Sequence, residues 1–386
     1  MNQNAQEIRI VPGMSSGARQ TALRSLAELT MQPIEPKLAS AKGLRVLISP
    51  HMARQIRQVR ANGDEPGARA LLRTVVPSPL ELEDRATEGW RLDGTGTVYH
   101  RKEFNLPDMA QPLCIRRLYP DRAILTPSWQ CPVLCRYCFR KCEAGSNRRI
   151  DLRPGLDYIR TWNKSGKTPI RDVILSGGDP LSLSDAELDA LLPQIRSIPG
   201  VEFVRIDTKY PTAKPERITR GLLEVLEERV DIMMLHFTHP LEICEETIDA
   251  CRRLSKRGII LRSYTPLLKG VNDDRETLKR LFWDLLSKCG VTPYYAVQFI
   301  ETPGARHFRI PLSHTLELMR GLHVELSGTA IPNSIVYLPD GGGKYVLGPH
   351  ERILYPNEPG TGIRKVDGGY QIPAPLKPGE LSFYPD

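Results

Sequence analysis

The sequence predicts an α/β fold: a partial, open βα barrel of about six strands, preceded by a mainly helical segment and followed by a C-terminal extension. Two observations carry this reading. Six short β-rich runs, AILTP, DVILS, FVRID, IMMLHF, IILRS and YYAVQF, follow one another between residues 123 and 299. Amphipathic stretches separate them, and such alternation builds a parallel sheet covered by helices. Barrels of this kind bind their ligands at the carboxyl ends of the strands. Chemistry is therefore expected in the loops that follow the six runs.

The elements divide the chain at 1–118, 119–310 and 311–386. From about Thr21 to Leu118 the text is rich in Arg, Ala and Leu and is broken by Pro77 and Pro79. It reads as short helices with loops and carries no catalytic motif. Within the barrel, Ser184 with Glu187 predicts a capping box before Leu188, Leu191, Leu192 and Ile195. Asp273 with Glu276 predicts another before Leu278, Leu281, Phe282 and Leu285, and Gly258 marks a helix stop. After about Pro311 come one helix, a strand SIVYL and a Gly- and Pro-rich tail expected to wrap the outside.

Apolar residues make up 40% and charged residues 25%, an ordinary globular balance that excludes disorder and fibrous repeats. The net charge of +8 comes from 53 basic residues scattered among 45 acidic ones. Without a block of like charge this predicts no nucleic-acid partner, and anionic small ligands explain the excess equally well. No run of eighteen apolar residues occurs, and MNQNAQEIRIVPG has no apolar signal core. No membrane partner and a cytoplasmic location are expected.

Four of the eight cysteines, Cys131, Cys135, Cys138 and Cys142, fall within twelve residues. That is metal-site clustering, and the other four, Cys114, Cys244, Cys251 and Cys289, read as small buried hydrophobes. The segment TPSWQCPVLCRYCFRKCEAG directly follows a predicted strand. Three thiolates on one loop can hold three irons of a 4Fe-4S cluster and leave the fourth with an open position. The open iron could chelate S-adenosylmethionine, so that an electron from the cluster breaks the sulfonium bond and releases a 5′-deoxyadenosyl radical. A structural zinc site usually needs two separated CxxC pairs, which are absent. Cys142 could saturate the cluster and leave a plain electron carrier.

Two further motifs carry chemistry. DVILSGGDP sets Ser176, Gly177, Gly178 and Asp179 at a strand end, where the glycines let backbone approach a ligand and the carboxylate can accept from an ammonium group. An ordinary strand-to-loop turn is the alternative. His236 and His239 in LHFTHP are candidate polar contacts or simply structural. Lys344, after Gly341, Gly342 and Gly343, has backbone freedom to reach into a barrel mouth and form a Schiff base. It could equally be a solvated lysine on a hairpin.

The spacing CxxxCxxC, with Tyr137 just before the last cysteine, resembles that of the radical S-adenosylmethionine superfamily. PDRAILTPSWQC, LSGGDPLSLSD, HFTHPLEICEETIDACRRL, LLKGVNDD, PYY, HFRIPLSH and YLPDGGGKYVLGP resemble, in order, the lysine 2,3-aminomutase family. The likeness runs from about Tyr119 to Pro349. It implies a barrel of the radical S-adenosylmethionine type and a 4Fe-4S cluster on Cys131, Cys135 and Cys138. It also implies S-adenosylmethionine against Tyr137, Ser176, Gly177, Gly178, Asp179 and His236. Pyridoxal phosphate would sit on Lys344, with Arg122 at its phosphate and Arg140 clamping the substrate α-carboxylate. Without the resemblance Arg122 would read as an ion pair with Asp121 and Arg140 as a loop charge. The implied reaction moves the α-amino group of an amino acid to its β-carbon, with flavodoxin or ferredoxin as electron donor. Oxidation or desaturation by the same cofactors is the alternative, and a non-catalytic iron-sulfur or zinc protein is another.

Departures from the family bear on the substrate. Lysine-specific members place two acids at the substrate ε-ammonium, and the matching positions here are Ile300 and Tyr337. Neither neutralises a buried cation, so lysine is predicted not to be the preferred substrate. Glu301 and Asp340 beside them could serve a guanidinium, which keeps arginine open alongside apolar or aromatic amino acids. The family's zinc-loop cysteine is matched by Asp274 and no cysteine follows Cys289, so no zinc is expected and homo-oligomerisation is left open. Leu118 replaces a phosphate-contact arginine, with Arg117 beside it.

Overall fold

The computed structural model describes residues 6–40, 45–83, 104–141, 143–146, 150–300, 302, 304–338, 342–348 and 351–385. The N-terminal segment is a unit with its own core. Strands β1 (Ile8–Ile10) and β2 (Val46–Ile48) pair antiparallel. Helices Ser16–Thr30, Pro50–Ala61 and Glu65–Val75 pack on them, each N-capped by a side chain, Ser15, Ser49 and Asp64. Ile10, Leu26, Val46, Ile48, Met52, Ile56, Leu71 and Val75 are buried together there.

A nine-stranded sheet forms the body. Its first two strands, β3 (Ile115–Tyr119) and β4 (Arg122–Leu125), are antiparallel. Then β5 (Asp172–Leu175), β6 (Phe203–Thr208), β7 (Ile232–His236), β8 (Ile260–Pro266), β9 (Thr292–Val297) and β10 (Asn333–Leu338) add in order, each parallel to the one before. A final strand, β11 (Gly343–Leu347), turns back antiparallel on β10. All six expected strands are present and consecutive. SIVYL is not a strand apart but a seventh parallel member, and β3 and β11 form the two edges. The sheet therefore runs across both 118/119 and 310/311, and the first of these divisions cuts β3.

Period-two alternation sorts the side chains. Along β6, Val204 and Ile206 are buried under the outer helices, while Arg205 and Asp207 face the interior of the curled sheet. The outer core joins Val173, Leu175, Ile206, Met233, Leu235 and Leu261 to residues of the helices, such as Leu156, Leu188, Leu222 and Leu278. The Ser184–Glu187 capping box is present. The second cap lies one residue later than expected: Asp274 accepts from Thr277 N at 2.8 Å, while Asp273 accepts from Gly270 N. Gly258 has φ of 77°, as a residue just beyond a helix end requires.

The tail lies on the outside, but as a sheet of its own: β12 (Ile353–Leu354), β13 (Ile363–Val366), β14 (Gly369–Pro373) and β15 (Leu381–Pro385). Ile363, Tyr370, Ile372 and Tyr384 pack against Leu312, Leu316, Val336 and Leu338. Among the described residues no helix is long and apolar enough to cross a membrane.

Candidate active site

The interior of the curled sheet holds two chambers. The first, of about 890 Å³, lies at the carboxyl ends of the strands and is lined by Cys131, Cys135 and Cys138. Tyr137, Arg140, Ser176, Gly177, Gly178, Asp179 and His236, all singled out from sequence, line it too. The glycine loop is laid directly on the start of the cysteine loop. Gly178 N donates to Ser128 O at 2.8 Å and Asp179 N to Gln130 O at 2.6 Å. A Cβ on Gly178 would lie 2.4 Å from the Trp129 carbonyl carbon, so no side chain fits there.

Asp179 is anchored from several sides. Its carboxylate accepts from Leu181 N, Thr208 Oγ1 and Lys209 N at 2.8–3.1 Å. Burial nevertheless pushes its carboxyl up to about 7. Lys209 and Glu242 form a buried ion pair at 2.7 Å beside the chamber. His236 stacks on Tyr264 with 4.9 Å between centroids. Burial and the Lys209 charge push the imidazole down to about 3, so it stays neutral. His239 does not line the chamber; its Nδ1 instead accepts from Leu241 N at 3.2 Å, a capping role. Arg140 is 5% exposed, and its Nη1 has no hydrogen-bond partner among the described residues. A buried guanidinium on a chamber wall suits an anionic group.

Burial pushes all three thiols up, Cys138 to about 11, and neighbouring thiols add to the effect at Cys131 and Cys138. Such thiols become ligands when a cationic centre binds the sulfur and displaces the proton to solvent. Among the described residues no three His, Cys, Asp or Glu side chains converge as a single ion requires. Three thiols lining one chamber match the three ligands that a 4Fe-4S cluster with one open iron takes. Cys142 lies outside the described residues.

The second chamber, of about 670 Å³, is lined by Lys344 with Arg116, Arg122, Arg205, Tyr295 and Tyr337. Lys344 stands opposite Tyr337 across the β10–β11 hairpin. Its Nζ is 4.7 Å from the Tyr295 ring centroid and 5.4 Å from that of Tyr337. Gly343, at φ of 92°, turns the chain into this strand, and Leu376 of the tail covers it. Burial first, then Arg122 and Arg205, push the Lys344 amine down to about 8. A buried amine of that kind among three guanidinia suits an aldehyde that carries a phosphate. Pyridoxal phosphate therefore fits these residues.

Arg122 does lie 3.4 Å from Asp121, yet it also lines the chamber. Arg117 does not stand in for the arginine that Leu118 replaces. It is fully buried on the other face of β3, its guanidinium 3.9 Å from the Trp162 ring centroid and donating to Pro120 O and Tyr158 Oη. Leu118 faces the chamber, and so does Arg116, which the sequence reading passed over with Arg205 and Asp207. Alternation in FVRID was the available signal: if Val204 and Ile206 face the helices, Arg205 and Asp207 face inward. Asp207 and Tyr264 line both chambers. Ile300 lines the first and Tyr337 the second, while Glu301, Asp340 and Gly341 lie outside the described residues.

No family model matches the chain. Among curated relatives, L-lysine 2,3-aminomutase of Clostridium subterminale is 33% identical over 354 residues, 88% of this chain and 79% of that protein. Glutamate 2,3-aminomutase of Clostridioides difficile is 36% identical over 279 residues, 71% of this chain but 62% of its own length. The L-lysine 2,3-aminomutase of Fusobacterium nucleatum is matched over 57% of its length. Chain-long identity at this level, with the cysteine loop, the glycine loop and the glycine-run lysine lining one interior, means that the chain belongs to the lysine 2,3-aminomutase family.

Proposed function

We propose that the chain is a 2,3-aminomutase dependent on S-adenosylmethionine, a 4Fe-4S cluster and pyridoxal phosphate, moving the α-amino group of an L-amino acid other than lysine to its β-carbon. The adjacency of the two chambers, which share Asp207 and Tyr264, carries this reading. When bound, the cluster with S-adenosylmethionine supplies a hydrogen-abstracting radical, and pyridoxal phosphate supplies a conjugated carrier for the migrating nitrogen. Cys131, Cys135 and Cys138 would ligate three irons. Ser176 and the bare backbone of Gly177 and Gly178, with Tyr137 and His236, would hold the sulfonium ligand, with Asp179 setting the loop beneath it. Lys344 would hold the aldehyde, and Arg122, with Arg116 and Arg205, its phosphate. The Arg140 guanidinium would take the substrate carboxylate.

Ile300 and Tyr337 offer no charge to an ε-ammonium, so an apolar or aromatic side chain is the better fit, while arginine would depend on Glu301 and Asp340 beside them. A relative named for glutamate is in keeping with side-chain recognition that varies among relatives. The test is anaerobic incubation of reconstituted protein with a reductant such as reduced flavodoxin, labelled S-adenosylmethionine and each amino acid in turn. A β-amino isomer formed with S-adenosylmethionine used catalytically supports the reading. Stoichiometric consumption of S-adenosylmethionine with an oxidised product overturns it.

A further inference from the structure

The N-terminal unit holds the cysteine loop by an ion-pair clamp. Arg136 lies between Cys135 and Tyr137, and all of its donors run away from the barrel. Its Nε donates to Glu81 Oε1 at 2.9 Å, its Nη2 to Glu81 Oε2, and its Nη1 to Arg45 O at 2.7 Å. The backbone follows the same path, Arg136 N to Thr74 O at 2.8 Å and Leu134 N to Leu47 O at 2.9 Å. The Glu81 side chain is only 7% exposed and also lies 3.4 Å from Lys141 Nζ, which donates to Gly304 O. Arg45 in turn donates to Lys141 O and Ala144 O, closing the far end of the loop.

We propose that Glu81 is a positioning residue for the iron-sulfur site: by pairing with Arg136 and Lys141 it fixes the arc on which Cys135 and Cys138 stand. Arg136 lies within that arc and Lys141 three residues beyond it, and one buried carboxylate serves both. Removing it leaves a buried guanidinium without its counter-ion inside the loop that must hold metal. Outer groups that orient ligands typically change metal affinity by about 10–100-fold.

The inference rests on the cluster reading of the three cysteines. It is tested on anaerobically reconstituted full-length Glu81→Gln by iron content, by the rate of iron loss to a chelator, and by the electron paramagnetic resonance signal of the reduced protein with and without S-adenosylmethionine. The expected result is iron loss at least about tenfold faster than wild type, with an altered signal. The pyridoxal spectrum at Lys344 should be retained as evidence of an intact fold, and Glu81→Asp should restore most of the iron retention. Should Glu81→Gln not fold, Arg136→Lys keeps the charge pair but not the two-pronged bond, and it should show the same change to a smaller degree. Iron loss at the wild-type rate in the folded variant would overturn the proposal. Wild type without iron would instead overturn the cluster reading itself.

Discussion

The two chambers carry charge in opposite ways. In the cysteine chamber the ionic groups are mostly settled among themselves: Lys209 pairs with Glu242, Asp179 is wrapped by donors, and His236 is neutral. In the lysine chamber Arg116, Arg122, Arg205 and Lys344 line the wall with Asp207. Each arginine has a carboxylate beyond the wall, Arg205 with Asp172 at 2.8 Å, Arg122 with Asp121 at 3.4 Å and Arg116 with Glu143 at 3.6 Å. Four cations against one carboxylate on the wall still leave the lining net positive, which favours an anion. On the proposed reading the first chamber would take a group held by thiolates and backbone, and the second a phosphate.

Reciprocal deletions put that contrast to its hardest test. Lys344→Ala should abolish the pyridoxal absorbance and lower turnover by at least about 10³-fold while iron content is unchanged. Cys138→Ala should abolish release of 5′-deoxyadenosine and leave the pyridoxal absorbance in place. If either variant loses both signatures, the chambers are not independent binding sites.

A smaller effect is expected where the chambers meet the substrate. Arg140→Gln should raise KM by about 10–100-fold, the loss of a charge-assisted pair worth roughly 1.5–3 kcal/mol, with less change in kcat. A fall confined to kcat would place Arg140 elsewhere in the reaction.

Titration of Lys344 sharpens the comparison further. Only the neutral amine attacks an aldehyde, and this amine is protonated below about 8 and neutral above it. Capture of pyridoxal phosphate by the apoprotein should therefore speed up as pH rises through about 8, where an ordinary lysine would need far higher pH. Arg205→Gln removes a neighbouring positive charge, so the midpoint should move upward and phosphate affinity should fall. An unchanged midpoint would remove Arg205 from the lysine's electrostatic surroundings.

The least effect is on stability. Gly178→Ala should cost about 1–3 kcal/mol, since its methyl group meets the Trp129–Gln130 backbone. A change in thermal midpoint measured on apoprotein checks it.

Much of this arrangement was legible beforehand because it depends on local pattern. The six apolar runs, the cysteine spacing and the glycine run before Lys344 are each readable within a dozen residues. What escaped depends on partners far along the chain. Arg116 and Arg205 matter through which face of a strand they occupy. Glu81 matters through a contact with Arg136, 55 positions away. Strands β1 and β2 are three residues each, too short to show alternation. The tail's strands are broken by glycines and prolines that read as loop. The capping box at Asp273 slipped by one because adjacent aspartates offer the same chemistry, and only the fold decides which one caps the helix.

The edges of the great sheet, β3 and β11, are joined not by a ladder but by the Tyr119 hydroxyl, which accepts from Lys344 N at 3.0 Å. Parting the wall there gives up a latch worth on the order of 1 kcal/mol, whereas a gap between neighbouring strands would sever a row of backbone bonds. The strand that bears Lys344 is thus laddered to β10 along one side and held to β3 on the other by the Tyr119 hydroxyl.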